Sequence, residues 1–406
     1  VTDGIYPFSM GGSHRMIYEL ANMLAHNGHK VTCLVPQIGK DVHMAHDGAE
    51  WSDREGFRIV RFPHHGRGLA GKFISLFSGF RTAVEKFLET ECIDVINVHY
   101  LPSLYSLRNI SKKQPILYTF HGPWAGEFRL SFSGKMDGKS KMIQFISHVV
   151  IEPTIQFLGE ILEKKCLAEC HRFMTISNYM RTLLVSTYNI DPSKVSVIPS
   201  GVNATVFYPE ENHILRSRLA NGKSYVFLTV RRLEKRMGLD ILIRACAILK
   251  ERYSDFTLLI GGKGIQYDYL KNLIHSTGCS ENVQMLGFIP ENELREYLSA
   301  SDLFILPSRD LEGFGLVVLE SMACGTPVLV SPRGGPREVV DQFNSRFVLS
   351  ELKSEIIAEK LIELIRSGIL HENGIATSCV NFVNSRYSWE QFSKDYMDWV
   401  EASQCA

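Results

Sequence analysis

Short apolar runs, separated by glycine-bearing turns and amphipathic stretches, recur along the chain and predict alternating strands and helices. Val31-Thr-Cys-Leu-Val35, Asp94-Val-Ile-Asn-Val98, Pro115-Ile-Leu-Tyr-Thr-Phe120, Phe173-Met-Thr-Ile176 and Val195-Ser-Val-Ile198 have the length of buried strands. Between them the apolar spacing turns helical. Tyr18, Leu20, Ala21 and Leu24 give residues 14–27 one apolar face, and Phe73, Leu76, Phe77, Phe80, Val84, Phe87 and Leu88 do the same for 72–89. Residues 126–150, with Arg129, Lys135, Lys139 and Lys141 among glycines, read as a mobile loop, and a helix follows to about Cys170. Pro199-Ser-Gly-Val-Asn203 and Phe207-Tyr-Pro209 read as a linker, after which the pattern restarts. Tyr225–Val230, Phe256–Ile260, Val283–Leu286, Asp302–Pro307 and Pro327–Val330 are its strands. Strands joined through helices run parallel. Two such blocks predict an α/β protein of two doubly wound domains facing each other across a cleft, 1–200 and 201–385.

Composition narrows the classes. The chain has 406 residues, enough for two domains, and a formal net charge of zero, so no global field draws it to nucleic acid or anionic lipid. No run of about eighteen apolar residues predicts a spanning helix. Nine scattered cysteines show no zinc spacing and read as buried free thiols in a reducing cytoplasm. Val1-Thr-Asp-Gly4 reads as the tail of a first strand from which a few residues are missing. Arg61, His64, His65, Arg67, Lys72, Arg81 and Lys86 make residues 61–88 basic. That stretch is either a packed helix with a solvated face or a surface for an anionic acceptor or a membrane interface.

The chemistry concentrates in Ser308-Arg-Asp-Leu-Glu312-Gly-Phe-Gly-Leu-Val-Val-Leu-Glu320. Gly313 and Gly315 allow close backbone approach, and a helix beginning at Leu316 points unpaired N–H groups at the same spot, which suits phosphate. At roughly 1.5 Å per residue, Glu312 and Glu320 stand about as far apart as the two sugars of a nucleotide-sugar, so one carboxylate can hold a hexose and the other a ribose. Ordinary helix-dipole compensation is the competing reading of that pair. With no Asp-x-Asp in the chain, the diphosphate charge falls to Arg231, Arg232, Lys235 and Arg236, and the chemistry is expected to need no metal. His121, delivered by the end of a strand, is either a site residue or structural. The Gly11-Gly12 loop suits ligand approach or a plain turn. Gly261-Gly-Lys-Gly264 fails the dinucleotide fingerprint at Tyr267, and leaves Gly264 as a candidate donor contact.

These segments resemble the retaining glycosyltransferases of family 4 (group 1), which have the GT-B fold. Glu312 to Glu320 matches the E-x7-E motif, Gly334-Gly-Pro-Arg-Glu338 the GGxxE motif, and Pro199-Ser-Gly-Val resembles the PNGV hinge, with Ser200 for Asn. The resemblance implies transfer of a hexose from a nucleoside diphosphate-sugar, with UDP first choice, to a glycan, lipid-linked or small-molecule acceptor. Glu312, His121 and Arg232 would be the catalytic residues. Phe314, Gly315 and Leu316 would offer amides, Glu320 would hold the ribose, Phe288 and Ile289 would flank the base, and Gly11 and Gly12 would face donor and acceptor. Arg232 corresponds to the Arg of GRLxxxKG; Met237 stands where that motif has Lys, and Arg236 is the candidate replacement. Residues 386–406 would be a helix crossing back to the first domain. No cofactor beyond the donor is implied. The expected location is the cytoplasm, or its membrane face through 61–88; the oligomeric state stays open. A silent nucleotide-sugar-binding subunit, a phosphorylase and a sugar 2-epimerase are the rival readings.

Overall fold

The computed structural model of the chain describes residues 1–6, 11–36, 49–51, 56–62, 68–107, 114–127, 129, 142, 147–372 and 374–404. It divides into two units, the first comprising Val1–Arg129, Lys141–Ser200 and Trp389–Ala406, the second comprising Gly201–Ser388. Most of the loop expected over 126–150 lies outside the described residues, as do positions 7–10 ahead of Gly11 and 63–67 of the basic stretch.

In the first unit, β4 (Ile96–Val98), β5 (Ile116–Phe120), β6 (Arg172–Thr175) and β7 (Val195–Val197) form a parallel sheet in sequence order. A second sheet holds β1 (Thr32–Pro36) parallel to β3 (Arg58–Phe62), with β2 (Ala49–Trp51) antiparallel at its edge. The two sheets meet through the first residues: Thr2 N–H donates to Leu34 O, and His99 N–H to Val1 O. β5 is buried at every position, as a strand covered on both faces must be. The pair β2–β3 was not expected. Arg61, assigned from sequence to a basic surface, lies in β3 and is 7% exposed, which removes it from any such surface.

In the second unit, five parallel strands stand in the order β10-β9-β8-β11-β12, where β8 is Tyr225–Val230, β9 Phe256–Gly261, β10 Val283–Gly287, β11 Leu303–Leu306 and β12 Val328–Val330. Chain order runs outward from β8 in one direction and then from β11 in the other. The reversal between β8 and β11 is a topological switch point, and the carboxyl ends of those strands border a crevice that ligands use in open α/β sheets. Leu316–Ala323 connects β11 to β12, and its brevity follows from Gly325 and Pro327 just after it. The helix Trp389–Gln404 belongs to the first unit, where Asn97 Nδ2 donates to the Tyr396 hydroxyl at 2.7 Å.

Candidate functional site

At the switch point of the second unit, β8 runs out into Arg231 and Arg232, and β11 into Pro307 and Ser308. The turn after Ser308 carries Glu312 and closes on Gly315, which caps the helix Leu316–Ala323 with φ 71°. A second glycine pair braces this turn from behind. Gly335 N–H donates to Glu312 O at 3.0 Å, and a Cβ on Gly335 would stand 1.9 Å from Gly313 O. No side chain fits there, so the two glycine segments can pack only as backbone on backbone. Phe314 is buried, its ring 6.1 Å from that of Tyr387, which leaves only its backbone for a ligand.

The charges divide unexpectedly. Arg231 Nη2 donates to Glu312 Oε2 at 2.6 Å and Arg231 Nη1 to Ser308 Oγ at 2.9 Å, while Ser308 Oγ donates to the same Glu312 oxygen at 3.0 Å. Burial draws the Arg231 guanidinium below its ordinary range, with Glu312 working against that shift. Arg232 points the other way. Its side chain is 65% exposed, with Nη1 3.4 Å from Glu234 Oε1. Successive residues leaving a strand face opposite sides, so only one of two adjacent arginines can turn inward. Arg236 is largely covered, donating through Nε to Glu234 at 3.3 Å and through Nη1 to Leu311 O at 3.3 Å. Met237, in the place of a motif lysine, is core.

The other candidates of this unit differ in access. The Glu312 side chain is 20% exposed, whereas Glu320 is 8% exposed as a residue. Phe288 is 48% exposed with Lys263 Nζ 5.0 Å above its ring, but Ile289 is buried against Gly261. Gly264 serves packing: a Cβ there would lie 2.4 Å from Leu233 O.

The first unit gathers a second polar cluster where β4 and β5 end. His121 Nε2 and His99 Nδ1 stand 3.1 Å apart with rings stacked, and His14, near the start of the helix Gly12–His26 beside Gly11, meets Asp3 Oδ1 at 3.1 Å. Burial pushes His121 down to about 4, opposed by Asp3, and pushes His99 well below the usual histidine range. Both imidazoles are therefore neutral at physiological pH. Asp3 lies below its ordinary value: burial would raise it, but the His14 hydrogen bond prevails. Glu163, buried, accepts from Trp124 N–H at 2.7 Å, Ala125 N–H at 3.3 Å and the Tyr188 hydroxyl at 2.6 Å, which anchors the turn following His121. Burial pushes Glu163 up to about 7 against these bonds.

Ser308, His99 and Glu163 were given no role from sequence, and Arg231, expected among the cations facing a diphosphate, is instead turned onto Glu312 and Ser308. The doubled arginine was visible, but not which of the pair turns inward. The other three sit in segments whose chemistry depends on neighbours far away in the chain. A cavity of about 580 Å³ lies within the first unit beside β1 and β4, and none of the sequence-derived site residues lines it. Among the described residues no three potential metal ligands cluster, and no helix is long and apolar enough to cross a membrane.

Two family models match the chain: "Glycosyltransferase Family 4" over residues 10–206 and "Glycosyl transferases group 1" over 210–377. An uncharacterized glycosyltransferase of Methanocaldococcus jannaschii is 25% identical over 404 residues, covering 96% of this chain and 94% of the relative. A D-inositol 3-phosphate glycosyltransferase of Streptosporangium roseum is 28% identical over 81% of this chain and 74% of its own. Among solved structures, Anabaena HepE in complex with UDP and glucose superposes with a TM-score of 0.74 at 16% identity, over 99% of both chains.

Proposed function

We propose that this chain, which belongs to glycosyltransferase family 4 (the group 1 glycosyltransferases) and has the GT-B fold, transfers a hexose with retention from a UDP-sugar to an acceptor hydroxyl. It is a transferase that uses a nucleotide-sugar donor. The observation that carries the finer reading is the arrangement at the β8/β11 switch point, where a partly exposed carboxylate, a glycine turn and a helix N-terminus converge beside buried and exposed arginines. There Glu312 would receive hexose hydroxyls, the amides of Gly315 and Leu316 would receive phosphate oxygens, and Arg232 and Arg236 would offset the charge that develops on the leaving diphosphate. Phe288, exposed at the end of β10, would stack on the base, and Glu320 would take the ribose.

In the first unit, the proposed acceptor side, the neutral His121 imidazole would hydrogen-bond a sugar hydroxyl without carrying charge, and Gly11 and Gly12 would let the ligand approach the helix that follows. Retention without a second nucleophile is consistent with attack on the face the diphosphate leaves, with Glu312 orienting the sugar. The Anabaena complex with UDP supports uridine as the base. The buried free thiols support a reducing compartment, the cytoplasm.

Calorimetry with UDP-, GDP- and ADP-sugars tests the donor. Micromolar binding of a UDP-sugar alone is expected, and preference for another base would replace uridine in the reading. Glu312→Ala should lower turnover by about a hundredfold, and wild-type turnover in that variant would remove the role assigned to Glu312. Because arginines and amides supply the positive charge here, turnover is expected to persist in excess chelator; strict dependence on added metal would refute the metal-free scheme.

A further inference from the structure

We propose that Arg231, together with Ser308, is the pair that positions Glu312 and presents one of its oxygens to the donor sugar. The inference rests on the donor-site reading above and assigns its geometry to two residues outside that reading. Arg231 leaves the end of β8 and Ser308 the end of β11, so the two residues grip the carboxylate from both sides of the switch point. Both donate to Oε2, at 2.6 and 3.0 Å, and Arg231 also donates to Ser308 Oγ at 2.9 Å, which closes a ring of three hydrogen bonds.

The asymmetry is the informative part. Among the described residues Oε2 accepts from two donors and Oε1 from none, yet the side chain keeps 20% of its surface exposed. Oε1 is then the oxygen left to accept from a sugar hydroxyl. Rotation of the carboxylate about its own axis would break both bonds at once, so its plane is fixed before any ligand arrives.

Arg231 cannot easily serve elsewhere. Its side chain is 6% exposed, and among the described residues its buried Nε meets no acceptor, so moving away from Glu312 would leave a buried cation with fewer partners still. The neighbouring cations do not take its place: Arg232 faces solvent beside Glu234, and Arg236 is engaged by Glu234 and the Leu311 carbonyl. Arg231 therefore acts through Glu312 and does not itself meet the diphosphate.

A double-mutant cycle on the full chain tests this. Arg231→Gln should lower kcat by roughly ten- to a hundredfold and Ser308→Ala by about three- to tenfold, the range for loss of a positioning bond at a reacting centre. UDP affinity should stay within about threefold in both variants, because the nucleotide half of the site is untouched. In a Glu312→Ala background neither substitution should lower kcat further, since the group they act through is gone. Undiminished effects in that background would overturn the proposal and place Arg231 on the diphosphate or in the fold. If Arg231→Gln does not fold, the Ser308→Ala arm alone decides by the same criterion, and Arg231→Lys should restore part of the turnover. Wild-type turnover in Glu312→Ala would instead overturn the donor-site reading, and the positioning role with it.

Discussion

His121 shows how much a single residue's surroundings decide. In an unfolded chain its imidazole titrates near 6.5, and in the folded unit near 4. As pH falls, the unfolded chain therefore binds the proton first, so stability is full above 6.5 and is lost progressively toward 4. The two values give about 2 kcal/mol lost at pH 5 from this one group. Glu163 runs the other way, with its folded value raised from 4.5 to about 7. Its contribution is full below 4.5 and fades as pH rises through 7, so the two groups oppose each other between those limits. Comparing variants separates them. Going from pH 7.5 to pH 5, the change in unfolding free energy should be about 2 kcal/mol less unfavourable in His121→Asn than in the wild type, the opposing contribution of Glu163 being common to both. Equal changes in the two would mean that the imidazole is not held neutral by its site. A neutral His121 also implies that the acid limb of turnover above pH 5 belongs to another group.

At the scale of elements, the proposed donor site rests on two glycine segments pressed together. Gly335→Ala would drive a methyl group into Gly313 O, 1.9 Å from the ideal Cβ position, and push the turn bearing Glu312 and Gly315 outward. The expected result is a loss of about 2–3 kcal/mol in stability and a fall of tenfold or more in UDP-sugar affinity by calorimetry. Gly368→Ala is the control. Its backbone is left-handed, φ 70°, unlike that of Gly335, but a Cβ there meets nothing within 4 Å, so the change should cost about 1 kcal/mol of strain and leave affinity unchanged. If both variants bind alike, the close approach has no bearing on the site. The crossover from Asp302 to Val330 was legible in the sequence because its strands are short and wholly apolar and its breakers are local. The edge pair β2–β3 was not, since Arg58–Phe62 carries two arginines and its burial comes from distant partners. The inward turn of Arg231 over Arg232 was illegible for a related reason: strand parity offers two alternatives, and the partners that hold Arg231, Ser308 and Glu312, lie more than seventy residues away.

On the scale of the molecule, the chain finishes the first unit only with its last helix. Trp389, Phe392, Tyr396, Trp399 and Val400 are each 5% exposed or less, and Trp389–Gln404 packs on Gly12–His26. At about 1.5–3 kcal/mol for each large apolar side chain, the helix contributes on the order of 10 kcal/mol of burial, comparable to the entire stability of an ordinary domain. Asn97 ties it to the sheet as well, donating to the Tyr396 hydroxyl at 2.7 Å and accepting from Thr119 at 3.1 Å. The second unit has a core of its own, with Ser354–Ser367 packed on Leu239–Arg252. Ending the chain after Ser388 should therefore unfold the first unit and spare the second. Tryptophan makes the outcome readable. Of the four in the chain, only Trp51 and Trp124 survive that deletion, and both lie in the first unit. Their fluorescence should show no cooperative unfolding transition, while nucleotide binding persists in the second unit. A cooperative tryptophan transition in the shortened chain would mean that the helix covers the first unit without completing it.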